Sequence, residues 1–112
     1  MKLISYSMLH RLYPRCIFFM YIFLSLVLPS NAVTSKDAEQ NYRKGNYQQA
    51  INDYKELLKQ GASADIFYNL GNAYYRSGNL TQAILNYERA SLLSPGNEDI
   101  NFNLEFARSK TI

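Results

Sequence analysis

Between residues 64 and 95 the chain places Leu70, Gly71, Tyr74, Gly78, Ala83, Tyr87, Ala90 and Pro95 at offsets that suit a pair of antiparallel helices. Gly71, Ala83 and Ala90 are small enough for two helix backbones to approach closely, and Leu70, Tyr74 and Tyr87 fill the space between them. Pro95 follows the second helix, which it cannot continue. A set of matched positions inside one window constrains the fold far more than any single short motif, and it predicts an all-α helix-turn-helix unit.

The same pattern recurs on both sides. Upstream, Gly45, Asn46, Ala50, Ile51 and Tyr54 align with Gly78, Asn79, Ala83, Ile84 and Tyr87. This predicts a degenerate copy over 33–63, with a first helix from Ser35 or Lys36 to Lys44 and a second from Tyr47 to Lys59. Gly61 is expected to end that second helix in the left-handed conformation. Both internal turns read G-N-x-x-Q, so Asn46 and Asn79 are expected to cap the second helices while Gln49 and Gln82 reach back in a capping box. Downstream, Phe102, Asn103, Leu104 and Ala107 align with Tyr68, Asn69, Leu70 and Ala73. A further first helix is expected over 98–110, with Asn97 as its N-cap and Glu98 and Asp99 in a first turn where the helix dipole favours acid. The expected array is about two and a half repeats: 33–63 degenerate, 64–97 complete and 98–110 an unpaired helix. Ile100, Phe102, Leu104 and Phe106 cover most of the way round that last helix, so some of them are expected to stay exposed. Each one left in water forgoes roughly 1.5–3 kcal/mol of burial, so the helix is expected to pack on a partner, a second copy or a continuation absent from this chain.

Residues 1–32 read as an address. Lys2, Arg11 and Arg15 precede an uncharged apolar run over 16–28, followed by Pro29 and then Ser30, Asn31 and Ala32. These are the parts of a secretory signal peptide, with cleavage expected after Ala32 and a periplasmic destination. The run is shorter than the roughly 20 residues a membrane-crossing helix needs, so an uncleaved inner-membrane anchor is the alternative. Removing the segment takes three of the 12 basic residues and none of the 9 acidic ones, leaving the signs balanced. The overall +3 charge is thus no argument for nucleic-acid binding. Cys16 leaves with it, so no thiol, disulfide or cysteine metal ligand is expected in residues 33–112.

Catalytic chemistry finds little support. His10 lies in the leader, no serine stands in a G-x-S-x-G or S-x-x-K arrangement, and no phosphate-binding, dinucleotide-binding or calcium loop occurs. Adjacent Glu98 and Asp99 point in different directions on a helix and read as cap residues rather than as a carboxylate pair around a substrate. No catalytic residue, cofactor or metal ligand is assigned.

The spacing over 64–95 resembles the tetratricopeptide repeat, a unit of about 34 residues in which two helices form a hairpin. The segment 67–112, through its ILNYERA and NEDINFNLEFAR stretches, is similar to the exported Bat-type tetratricopeptide proteins of the bacterial aerotolerance operon. That resemblance implies a repeat solenoid, a signal segment and a role in an envelope complex linked to stress tolerance. In such a solenoid the first helix of each unit lines a concave surface. Inward positions would then hold Asp65, Tyr68, Asn69, Asn72, Tyr75 and Arg76, with Glu39, Tyr42 and Arg43 in the first unit and Asn103 in the third. Tyr68, Asn69, Asn72, Tyr75, Arg76, Arg43 and Asn103 are the candidate partner-binding residues. Asparagine can hold peptide amides, arginine a carboxylate, and tyrosine offers a rigid apolar face with a hydroxyl. Against this stands plain packing: Tyr54, Tyr74 and Tyr87 read as inter-helix contacts, and polar residues on a groove can be merely solvated. Three functions fit: a non-catalytic exported scaffold for a protein partner or extended peptide, a peptide- or glycan-associated accessory of a cell-wall enzyme, or a membrane-anchored assembly factor.

Overall fold

Short polar caps and two left-handed glycines set the boundaries of the helices. The computed structural model describes residues 31–111, so residues 1–30 of the expected signal segment lie outside the described residues. Among the described residues there are five helices and no strand: α1 (Ser35–Arg43), α2 (Tyr47–Gln60), α3 (Ala64–Arg76), α4 (Leu80–Leu93) and α5 (Glu98–Ser109). None of them is long and apolar enough to cross a membrane.

Each cap satisfies backbone N–H groups that a helix start leaves without partners. Thr34 and Asp37 form a full capping box, with the Thr34 hydroxyl accepting from the Asp37 N–H at 3.2 Å and the Asp37 carboxylate accepting from the Thr34 N–H at 2.9 Å. The Thr34 hydrogen bonds hold the Asp37 carboxyl below its usual range. Ser63, Asn79 and Asn97 accept from Ile66, Gln82 and Ile100 N–H groups at 3.1, 3.2 and 3.1 Å. Both hairpins turn at a glycine in the left-handed region, Gly45 at φ 80° and Gly78 at φ 87°, where a side chain would be strained.

Four local expectations are corrected. Asn46 makes no side-chain cap bond. Gln49 does not reach back, because its amide donates at 2.7 Å to the inward-turned carboxylate of Asp53. At Asn79 the cap forms, yet Gln82 contributes only its backbone N–H and completes no box. Gly61, with φ 164° and ψ 135°, is extended rather than left-handed, and delivers the chain to the extended cap residue Ser63.

Two cores form. Ala38, Ala50, Ile51, Tyr54 and Leu57 bury against Leu70 and Ala73 of α3, so the first hairpin is closed by the next helix along. Ala83 and Tyr87 bury against Leu104 and Ala107 of α5, which closes the second hairpin in the same way. Tyr74 packs on both cores. The approach of α3 to α4 requires Gly71, since a β-carbon there would lie 2.7 Å from two ring carbons of Tyr87. On α5, Ile100 and Leu104 are buried, whereas Phe102 and Phe106 keep 70% and 43% of their surface exposed.

Candidate partner-binding groove

Two clefts run across one side of the helices and share Tyr42 and Asn72. The first, about 310 Å³, is lined by Glu39, Tyr42, Arg43, Tyr54, Asn69 and Asn72. The second, about 230 Å³, continues over Tyr75 and Arg76 of α3 to Phe102, Asn103 and Phe106 of α5, with Tyr87 of α4 on its floor. The groove therefore passes from α1 over α3 to α5. A larger cleft of about 460 Å³ lies between α4 and α5, bordered by Glu88, Leu92, Glu105 and Arg108. Its rim is occupied by ion pairs of Arg108 with Glu88 at 2.9 Å and with Glu105 at 2.6 Å, so it offers little unspent polar capacity.

Arg43, Asn69, Asn72, Tyr75, Arg76 and Asn103 all line the groove. Tyr68 does not line it and instead supports it from behind. The Asn103 amide donates to the Tyr68 hydroxyl at 3.1 Å and to Asn72 Oδ1 at 3.0 Å, and the Tyr87 hydroxyl donates to the same Asn72 oxygen at 2.6 Å. This network ties α3, α4 and α5 together, and burial pushes the Tyr87 phenol far above its ordinary value. Asn72 and Asn103 are thus partly spent on structure, with Asn72 Nδ2 and Asn103 Oδ1 left over.

Other groove residues differ in how free they are. Arg43 is paired with Glu39 one helical turn away on the same surface. Arg76 enters none of the ion pairs among the described residues; its guanidinium lies 5.3 Å over the Tyr47 ring, which packs edge-on against Tyr42 at 5.5 Å. Burial raises the Tyr42 phenol, and the adjacent Arg76 acts against that shift. Asn69 makes no side-chain hydrogen bond among the described residues and sits half-buried at the groove wall. Tyr75 packs on Phe106 at 5.9 Å, and Phe106 stacks on Phe102 at 6.3 Å, which makes an aromatic wall at the α5 end. The groove can therefore donate hydrogen bonds from Asn69, Asn72 and Arg76, and lay apolar side chains on the rings.

The sequence pattern did not assign Phe102 and Phe106 to the groove, although their exposure is expected from it. It also missed Asp53 and Asn86, the two buried polar residues among the described ones. The Asp53 carboxylate accepts from Asn41 and Gln49, each at 2.7 Å. Asn86 donates to the Gln82 carbonyl at 2.8 Å, and its Oδ1 has no partner. A signal was present: both residues fall on the apolar face of a second helix, at aligned positions.

The family model described as Tetratricopeptide repeat matches residues 39–98, which is more than half of the chain. No curated protein matches it.

Proposed function

This chain belongs to the tetratricopeptide repeat family, a non-catalytic repeat fold, and on that premise we propose that it holds an extended segment of a protein partner along the α1–α3–α5 groove. The observation that carries the reading is a pair of donors beside a wall of exposed aromatic rings: the Asn69 amide, which makes no side-chain hydrogen bond among the described residues, and the Arg76 guanidinium, which lies over Tyr47 and enters none of the ion pairs there. Backbone carbonyls and carboxylates of an extended peptide are what such donors bind, and apolar peptide side chains are what the rings cover. A glycan accessory role is the weaker alternative: the best-exposed rings are phenylalanines, which bring no hydroxyl to a sugar.

The proposal extends to place. Residues 1–32 have the charge, apolar run and small-residue end of an export signal, and the similarity of 67–112 to Bat-type proteins supports a scaffold in a bacterial envelope complex linked to aerotolerance. Amino-terminal sequencing of the protein from the envelope should give Val33; a start at Met1 would replace the exported scaffold by an anchored assembly factor.

A peptide array probed with the full-length chain tests the groove itself. Bound peptides should lose roughly tenfold in affinity on Arg76→Ala and on Asn69→Ala, with unchanged helicity, since each variant removes about 1.4 kcal/mol of charge-assisted or amide hydrogen bonding. Unchanged affinity in both variants would move the binding site elsewhere.

A further inference from the structure

Two outer flanks of α5 differ sharply in character. One carries Asn101, Glu105 and Arg108, all already engaged: Asn101 donates to the Pro95 carbonyl at 2.9 Å and accepts from Ser91 at 3.1 Å, and Arg108 bridges Glu105 and Glu88. In the repeat alignment Glu105 stands where α3 has Gly71, and Arg108 where it has Tyr74. Those are the positions on which α4 lies against α3, at a distance that even a β-carbon would obstruct. A helix laid on α5 as α4 is laid on α3 would meet the ion-paired side chains of Glu105 and Arg108 instead of a glycine.

The other flank carries Asp99, Phe102, Phe106 and Lys110, a stripe at helical spacing that is apolar in the middle, acidic at its amino end and basic at its carboxyl end. Its two rings are nearly parallel, at 7°, and the Lys110 ammonium sits 4.7 Å over Phe106. We propose that this stripe pairs antiparallel with the same stripe of a second copy of the chain. A two-fold axis passing level with Leu104 sets Phe102 on Phe106 of the second copy, and brings Asp99 within one residue of the level of its Lys110, close enough for the long lysine side chain to reach, at both ends of the contact. The surface is thus its own complement. Parallel pairing would instead oppose acid to acid and base to base. A helix of 12 residues spans about 18 Å, and one face of two such helices buries well under the ~1,200 Å² of a stable interface, so the dimer is weak and concentration-dependent. Because Phe102 and Phe106 also form the α5 end of the groove, a second copy and an extended peptide compete for these two rings. The inference stands whether or not the groove binds a peptide.

The test is sedimentation of the full-length chain, in density-matched detergent, over a wide concentration range. A reversible monomer–dimer equilibrium is expected. Phe102→Ala should raise its dissociation constant by at least about thirtyfold, because two exposed rings leave the contact. Asp99→Lys and Lys110→Glu should each weaken it about tenfold on their own, through two reversed ion pairs per dimer. An equimolar mixture of those two single variants should regain the original association, since each then supplies the other's complement. A chain that stays monomeric throughout overturns the proposal. So does a dimer that both charge reversals leave unchanged, or a mixture no tighter than its components.

Discussion

Where the first hairpin has Ala38 and Tyr54 in its core, the second has Gly71 and Tyr87 at the aligned positions, with the glycine so close to the ring that no β-carbon fits. Buried at aligned positions on the second helices are Asp53, which accepts from two amides, and Asn86, whose oxygen accepts from none. The reason lies on the neighbouring helix: Asn41 supplies a donor to Asp53, while the residue aligned with it is Tyr74, which packs on both cores instead. At the turns, Asn79 caps its helix and Asn46 does not. Spacing decides which positions meet; the residue across the gap decides whether the polar atoms there are satisfied and how much room is left.

The sharpest way to break this comparison is to exchange the buried polar residues. Asn86→Asp places a charge in a fully buried site that has no donor waiting, and should cost about 3–5 kcal/mol. The reciprocal Asp53→Asn should cost about 1 kcal/mol, as one of two hydrogen bonds meets the wrong partner. Urea unfolding followed by circular dichroism measures both, and equal costs would mean that the two sites are not different in kind. Next in size is Gly71→Ala, for which overpacking of about 1–3 kcal/mol against Tyr87 outweighs a gain in helix propensity of about 1 kcal/mol. Ala38→Gly should also destabilise, by roughly 1–2 kcal/mol, through backbone entropy together with the loss of a fully buried methyl. Gain of stability in Gly71→Ala would show that the close approach is not a constraint.

Smaller effects separate the two tyrosines. Tyr87→Phe removes the bond to Asn72 and should cost about 1 kcal/mol, whereas Tyr54→Phe, whose hydroxyl has no partner among the described residues, should cost close to nothing. Both phenols are raised by burial from the ordinary 10.0, Tyr87 much further. A raised folded value means that the folded chain holds the proton more tightly than the unfolded one. The stability this contributes is complete below pH 10 and declines as pH rises beyond it, so alkaline unfolding should be delayed more by Tyr87→Phe than by Tyr54→Phe. Smallest of all, Asn79→Ala should lose about 0.5–1 kcal/mol of cap stabilisation, while Asn46→Ala should be nearly neutral in the same denaturation assay.

Most helix boundaries were legible from local chemistry. Glycine in the two turns, Asn97 before Glu98 and Asp99, and the small residues Gly71, Ala83 and Ala90 act within a few residues of themselves or through the repeat spacing. Gln49 was misread because the pull on its amide comes from Asp53, and an inward-turned carboxylate cannot be told from a solvated one by periodicity. Gly61 was misread because glycine permits either an extended or a left-handed backbone, and the cap at Ser63 selects the former. In the groove, the repeat alignment brought forward residues that do line it, yet it could not show that Asn72 and Asn103 spend part of their capacity on Tyr87 and Tyr68, since those bonds depend on where α5 comes to rest. Phe102 and Phe106 needed the same information to be placed in the groove wall.

The central claim, that a partner segment lies along α1, α3 and α5, is tested most directly by amide and side-chain chemical-shift mapping of the isotope-labelled full-length chain, titrated with a peptide recovered from the array. The account predicts that the largest shifts fall on Asn69, Asn72, Tyr75 and Arg76, and on the side-chain amide of Asn103. Shifts confined instead to the Leu92 and Leu93 end of α4, or to the Glu88–Arg108 cleft, would contradict it.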